Sequence, residues 1–228
     1  MGFFSSVCSS LGSFFSSSVS ALGSAISGFC TSVIPIISNV LTKVDQWKCV
    51  GDIIANVAKI IGIWTPDDQI EDIGDRAIQA CEVGIVPERY DRFEEYMDAI
   101  KKFQLDPEKT KVNLADDKIV GAISIGMGIA VTHIEDKFNL AQGSVGDLVT
   151  LVAAKPEYFT GDRISSILTV TKDVRFVVEY FNDKLDSADS RIAEAMIINA
   201  SQKIEPEKNI DEIKFDIVKA QESITKND

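Results

Sequence analysis

Residues 118–133 read KIVGAISIGMGIAVTH, and between Lys118 and Glu135 no side chain is certain to carry a charge. About 16 apolar or small residues in a row fall just short of the roughly 17 to 25 that a membrane-spanning helix needs. Small residues recur at every fourth position of this run, at Ala122, Gly126 and Ala130. The run predicts a buried central helix around which amphipathic helices pack, and it leaves open a helix that inserts into a membrane when the bundle opens.

The segments that follow Pro66 carry apolar residues at helical spacing, with acidic residues near several starts and Gly or Pro near several ends. They predict helices over 67–84, 87–105, 116–139, 144–154, 162–185, 187–204 and 207–225. Turn-bounded alternation of apolar and polar residues is missing, so the fold class predicted is all-α. A helix hidden inside such a bundle resembles the general design of pore-forming helical toxins such as colicins, which store a hydrophobic hairpin in this way, although no motif is shared.

The first 42 residues carry no charged side chain, and all 58 Lys, Arg, Asp and Glu residues lie at or after Lys43. Apolar residues in this head step mostly by three and four, which predicts a helical apolar ridge that runs on to Trp47. Small residues form a column at every fourth position beside the ridge, a pattern that lets another helix approach closely. The residues of the ridge and column singled out for membrane or partner packing are Phe4, Leu11, Gly12, Phe15, Ser16, Ser20, Ser24, Gly28 and Phe29.

Forty-two residues of helix would extend about 63 Å, roughly twice the thickness of a bilayer core. Pro35 lacks a backbone donor and is expected to kink or end this helix, so a kinked helix or a hairpin is predicted rather than one span. A second apolar helix is expected over 50–64. The chain is therefore divided into a hydrophobic, Ser- and Gly-rich packing region (1–64) and an acidic all-helical domain (65–228).

The net charge of -12, with no cluster of basic residues, argues against a nucleic-acid partner. A secretory signal peptide is not predicted, because no cation precedes Lys43. If the protein is secreted, it leaves its cell through a dedicated machine or by lysis. The four cysteines lack the spacing of a zinc site, and each is expected to pack as a small apolar residue.

Catalytic motifs are missing from the sequence, so no enzymatic activity, cofactor or metal is predicted. The single histidine, His133, lies near the end of the apolar run and is interpreted as a structural residue with its hydrogen bonds satisfied. The acidic residues from Asp67 to Asp75 are interpreted as a solvated helix face, since nothing there has the spacing of a calcium loop.

Two functions remain open. The first is a membrane-active effector or toxin, secreted without a signal peptide, that inserts helices and forms a pore or permeabilises a membrane. The second is a structural or cargo component of a virion or contractile injection particle, packed through its N-terminal helices. Lipid, sister copies of residues 1–64, a delivery machine, a chaperone and an immunity protein are the candidate partners; an anchored enzyme or binding module is a weaker third hypothesis.

Overall fold

The computed structural model describes residues 22–115, 118–171 and 173–225, and this part of the chain is all-helical, without a strand. This confirms the predicted fold class. One turn of 3-10 helix spans Pro87–Arg89. The α-helices are α1 Ser24–Ser32, α2 Ile34–Ile37, α3 Val44–Ile60, α4 Ile70–Glu82, α5 Phe93–Lys102, α6 Pro107–Asn113, α7 Ile119–Phe138, α8 Ser144–Ala154, α9 Gly161–Val170, α10 Val174–Phe181, α11 Ser187–Ile204 and α12 Ile210–Thr225.

Helix α7 occupies the centre of the bundle, and 16 of its 20 residues are buried. Helix α4 packs along it most extensively, followed by α3 and α1, and α5, α6 and α8 complete the enclosure. A helix that is apolar on every face must be covered on every face, either by protein or by lipid. The structure therefore has the buried central helix that the sequence predicts.

The backbones of α4 and α7 touch through two glycines. A side chain on Gly126 would overlap the carbonyl oxygen of Ile70, and one on Gly74 would overlap that of Ala122. Only glycine permits this approach, because every other residue places a Cβ atom in the space that the opposite backbone fills. The column of small residues on α7 thus serves close helix packing inside this chain.

The second part of the bundle is built from α9 to α12. Helix α9 packs between α3 and α11, and α10 lies against α8, α11 and α12. Aromatic rings of Tyr158, Phe159 and Phe181 meet at centroid distances of 4.9 to 5.7 Å where these helices converge. A single hydrophobic core extends from Leu22 to Ile224. The division of the chain at residue 64 stays a prediction; the described residues on its N-terminal side share this core with the rest.

The head residues that the structure describes form short helices. Helix α1 ends at Ser32, and Val33 joins it to α2, which is a single turn that contains Pro35. The helical backbone ends near Val40, before α3 begins. Ridge residues Leu22 and Ile26 are fully buried, whereas Val40 is 44% exposed. The ridge is therefore buried inside this chain between residues 22 and 37, is exposed at Val40 and is buried again at Trp47.

Two of the helices predicted in the body are interrupted. The segment 162–185 consists of α9 and α10, because Asp173 caps a new helix by accepting a hydrogen bond from the Phe176 amide. The segment 87–105 consists of the 3-10 turn and α5, with extended backbone at Tyr90 and Arg92 between them. In both places a local cap or turn ends a helix although the apolar spacing continues.

Candidate functional site

Helix α7 packs through glycine on two of its faces. Gly126 lies against Ile70 of α4, and Gly128 lies 3.2 Å, measured from an added Cβ, from side-chain atoms of Ile26 and Phe29 on α1. Ala122 and Ala130, the other two small residues predicted to pack, are fully buried. Within the described residues, α7 is the one helix long and apolar enough to cross a membrane, and 89% of its most apolar 18-residue window is buried.

The predicted packing residues of the head fall into two groups. Phe29 is 5% exposed and belongs to the core, Ser24 is exposed, and Gly28 is half-buried at the surface of α1. The structure therefore brings Phe29 to α7 but leaves the small-residue face of α1 outside. The remaining predicted residues lie outside the described part of the chain: Phe4, Leu11, Gly12, Phe15, Ser16 and Ser20.

A groove of about 370 Å³ lies between α1, α7 and the start of α8. Gly28 and Ser32 line it on one side, and Thr132 of α7 lines it on the other. The hydroxyls of Ser32 and Thr132 donate back to Gly28 and Gly128 of their own helices, at 2.7 and 2.8 Å. These two hydroxyl hydrogens therefore point toward helix carbonyls and not into the groove.

Glu135 lies at the inner end of this groove and joins α7 to α8. Its carboxylate accepts hydrogen bonds from the amides of Gly143 (3.1 Å) and Val145 (2.9 Å), at the N-terminus of α8. Burial raises the pKa of Glu135, while these amides act in the opposite direction. A carboxylate at a helix N-terminus is stabilised by unpaired amides and by the helix dipole, so Glu135 fixes the turn of a helical hairpin made by α7 and α8.

His133 lies two residues earlier on α7 and is 4% exposed. Its ring centroid is 5.2 Å from that of Phe93 on α5, and its Nδ1 has no hydrogen-bond partner among the described residues. Burial lowers the pKa of His133 to about 4, with Asp136 acting against this and Lys101 and Lys137 adding to it. The histidine is buried, as a structural residue should be, but its hydrogen bonds are not all satisfied.

Asp75 corrects the interpretation of the acidic stretch as a solvated face. It is fully buried on α4 and accepts hydrogen bonds from Thr110 Oγ1 (2.6 Å), Asn113 Nδ2 (2.7 Å) and Gln79 Nε2 (3.1 Å). No cation bonds to it among the described residues. Neutral donors thus hold a buried carboxylate and tie α6 to α4.

Arg163 forms a second buried polar network, in the other part of the bundle. Its guanidinium donates to Ser201 Oγ (2.6 Å) and to Glu205 Oε2 (2.7 Å), and it lies 4.3 Å from the centre of the Tyr158 ring. Lys208 donates to the other oxygen of Glu205 at 2.7 Å. These charge-assisted hydrogen bonds hold α9 against α11, although Arg163 Nε has no hydrogen-bond partner among the described residues.

Sequence reasoning missed the burial of Asp75, Glu135 and Arg163. The one signal available was for Glu135, which continues the face of Gly128 and Val131 at helical spacing. The hydrogen-bond partners that bury Asp75 and Arg163 lie 35 to 42 residues further along the chain, apart from Gln79. Among the described residues, no group of three or more His, Cys, Asp or Glu side chains is placed to hold a metal ion.

Comparison with known proteins adds no relative. No family model matches the chain, and no curated protein or solved structure is significantly similar to it.

Proposed function

We propose that this protein is a membrane-active effector that inserts α7 into a membrane when its bundle opens, and so forms a pore or permeabilises the bilayer. The observation that carries this proposal is α7 itself. It is apolar on all faces, buried at the centre, and uncharged from Ile119 to Ile134. The uncharged part extends about 24 Å, somewhat less than the roughly 30 Å of a bilayer hydrocarbon core, and the whole helix of 20 residues extends about 30 Å.

Helix α8 supports a hairpin arrangement. Asn139 and Gly143 adopt the left-handed backbone conformation, with φ of 52° and 88°, and so turn the chain back between α7 and α8. Helix α8 has 11 residues, and Asp147 is its one charged side chain. At about 16 Å it is too short to span a bilayer, so we assign the spanning role to α7 and an interfacial position to α8.

Moving α7 from protein to lipid changes its apolar surroundings little. Lipid tails are as apolar as the side chains that cover α7 in the bundle, so the hydrophobic contribution is similar in both states. What opening removes is close packing, above all the backbone contact of Gly74 and Gly126. The equilibrium between the closed bundle and the inserted helix is therefore set by how tightly the other helices pack on α7. A membrane helix that is stored in a bundle needs this property.

The uncharged head supplies a surface for first contact with lipid. The described residues 22–42 carry no charge, and two of their apolar side chains are exposed, Ile36 at 54% and Val40 at 44%. Ile36 directly follows the exposed Pro35 in the one-turn helix α2, and Val40 lies beyond the end of this helix. The proposed order is contact through this edge, then release of α7.

The second hypothesis, a particle component packed through residues 1–64, has less support from the described residues. It requires apolar side chains of the head to face a neighbouring molecule. Between residues 22 and 64 the aromatic side chains Phe29, Trp47 and Trp64 are 5% exposed or less. Particle packing would then depend on the small-residue face of α1 and on three exposed aliphatic side chains, Ile36, Val40 and Ile60.

The first test is release of a trapped dye from anionic and zwitterionic vesicles by the full-length protein, from pH 8 to pH 4. We expect release, together with flotation of the protein with the vesicles. Vesicles that stay sealed at every pH and lipid composition would refute the proposal.

A disulfide between α3 and α7 makes the test specific for opening. A Cβ atom built on Gly51 lies 3.1 Å from Ile123 Cγ2, so the two Cβ atoms are no more than about 4.6 Å apart, close to the range of a disulfide. The double variant Gly51→Cys, Ile123→Cys, with Cys8 and Cys49 changed to Ser, should release dye when reduced and stop when oxidised. Equal release in both states would contradict the opening step.

A matched disulfide that leaves α7 free serves as the control. A Cβ atom built on Gly161 of α9 lies 3.1 Å from the Cβ of Asn56 on α3, so a small backbone shift allows a disulfide there. The oxidised Asn56→Cys, Gly161→Cys protein, in the same Cys8→Ser, Cys49→Ser background, should still release dye. If the oxidised control also failed to release dye, the block in the Gly51→Cys, Ile123→Cys protein would be due to a general loss of flexibility and not to the link between α3 and α7.

A further inference from the structure

We propose that His133 is the acid-sensitive trigger of this opening: protonation of its buried ring separates α5 from α7 and frees the central helix. The inference rests on the proposed function and adds the condition under which α7 is released. It starts from the geometry of the ring, which is buried, packs against Phe93 of α5 and has no hydrogen-bond partner for Nδ1 among the described residues.

The surroundings of His133 suit a neutral ring and not a cation. Phe93 packs against it at 5.2 Å, and Phe93 in turn packs against Tyr96 at 5.4 Å, so the α5 side is aromatic. A protonated imidazole has two N–H donors, and Nδ1 has no acceptor among the described residues. A charged donor that stays buried and unpaired is strongly disfavoured, so the ring must reach water or lose its proton.

The charged groups that act on the ring do not offset this. Lys101 of α5 and Lys137 of α7 repel a proton on His133, and Asp136 alone attracts it. Lys101 is already paired with Asp68 at 2.7 Å. Among the other helices that pack on α7, α1 carries no charged residue, and the carboxylate of Glu135 is bonded to the amides at the start of α8.

The direction of the effect follows from the two pKa values of this histidine. In the unfolded chain the pKa is near 6.5, and in the bundle it is about 4. The neutral ring therefore contributes stability that is complete above pH 6.5 and is lost as the pH falls through this interval. A difference of about 2.5 pKa units allows the equilibrium constant for opening to rise about 300-fold over the whole titration, from well above pH 6.5 to well below pH 4.

Helix α5 is the element that this change releases. Its buried contacts with the core are few, namely Tyr96, Met97 and Ile100. Its C-terminus is held by Arg76, which donates to the carbonyl oxygens of Lys101 (3.3 Å) and Phe103 (3.1 Å). Phe93 of α5 packs directly on the His133 ring, so we expect α5 to be the first cover to leave α7.

The direct test is titration of His133 by NMR, with no membrane present. The chain has one histidine, so the imidazole signal needs no assignment. We expect a pKa more than one unit below 6.5 in the folded protein, accompanied by binding of an apolar dye as the ring is protonated. A pKa near 6.5 or above, or protonation without exposure of apolar surface, would overturn the inference.

The second test separates the trigger from the proposed function. His133→Gln and His133→Phe keep a neutral side chain and should lose most of the increase in vesicle leakage on acidification. His133→Arg carries a permanent charge and should release dye at pH 7. If the neutral variants leak with the wild-type pH dependence, the trigger is wrong and the proposed function stands. If neither wild type nor variant leaks, the proposed function fails, and the NMR titration still decides the role of His133.

Discussion

Gly126 and Gly28 both belong to the small-residue columns predicted from the sequence, yet their surroundings are opposite. A Cβ atom on Gly126 would overlap the Ile70 carbonyl, whereas one on Gly28 would meet nothing closer than Gln142 Nε2 at 4.0 Å. We expect Gly126→Ala to lower the free energy of unfolding by about 3 kcal/mol, because rigid backbone must move. Gly28→Ala, the control, should change it by less than about 1 kcal/mol, in the stabilising direction. Denaturant unfolding of both variants checks this, and equal effects would contradict the close approach of α4 and α7.

Asp75 and Asp72 lie on the same helix, one buried and one exposed. Removing the Asp75 carboxylate leaves the Thr110 hydroxyl and Asn113 Nδ2 without an acceptor. We expect Asp75→Ala to destabilise the protein by about 3 kcal/mol, and Asp72→Ala to stay within about 0.5 kcal/mol of wild type. Thermal unfolding measures both. A tolerated Asp75→Ala would mean that the hydrogen-bond network does not hold α6 in solution.

For single residues, the sequence predicts the burial of apolar side chains well and the burial of polar side chains poorly. Leu22, Ile26, Phe29 and Ile37 are buried as the helical spacing requires. The burial of Asp75 depends instead on Thr110 and Asn113, which the fold brings from a different helix. Periodicity contains no information on such partners, because it reports the face of one helix and not what meets that face.

Helix α1 is held at its N-terminus by a residue from a distant part of the chain. Glu88 Oε1 accepts a hydrogen bond of 2.6 Å from the Ser24 amide, and Gly23 provides the close approach. Glu88→Ala should weaken α1 by about 1 kcal/mol, and Glu88→Gln by less, since the amide keeps an acceptor. Hydrogen exchange of residues 24–32 is the measurement. Unchanged exchange in Glu88→Ala would show that packing on α7 alone retains α1.

Helices were predictable wherever apolar spacing was long and uninterrupted. Helix α11 has the predicted bounds, 187–204, and α8 has the predicted bounds, 144–154. The breaks within 162–185 and 87–105 were missed, since apolar residues keep helical spacing across them. Asp173 and Arg92, which precede the new helices, have the extended or irregular backbone of N-cap residues. Aspartate is a preferred N-cap residue, so the sequence contained a signal for the break at Asp173.

The stability of the whole molecule should depend on pH in a way that isolates His133. Wild type loses the contribution of the neutral ring as the pH falls from 6.5 toward 4, about 3 kcal/mol in total. The His133→Gln protein does not lose this contribution. Both proteins share every carboxylate, including Glu135, whose raised pKa makes the folded state more stable as the pH falls. The difference in unfolding free energy between the two proteins should therefore shrink or reverse on acidification. A constant difference would contradict the assignment.

The central claim is that α7 exchanges its protein cover for lipid. Hydrogen exchange on vesicle-bound protein, analysed for α7 and for the helices that cover it, tests this most directly. We expect residues 44–60 of α3 and 24–32 of α1 to exchange faster on vesicles than in solution, while residues 119–138 of α7 stay protected. Protection of α3 that is unchanged on vesicles, or rapid exchange throughout α7, would contradict the account.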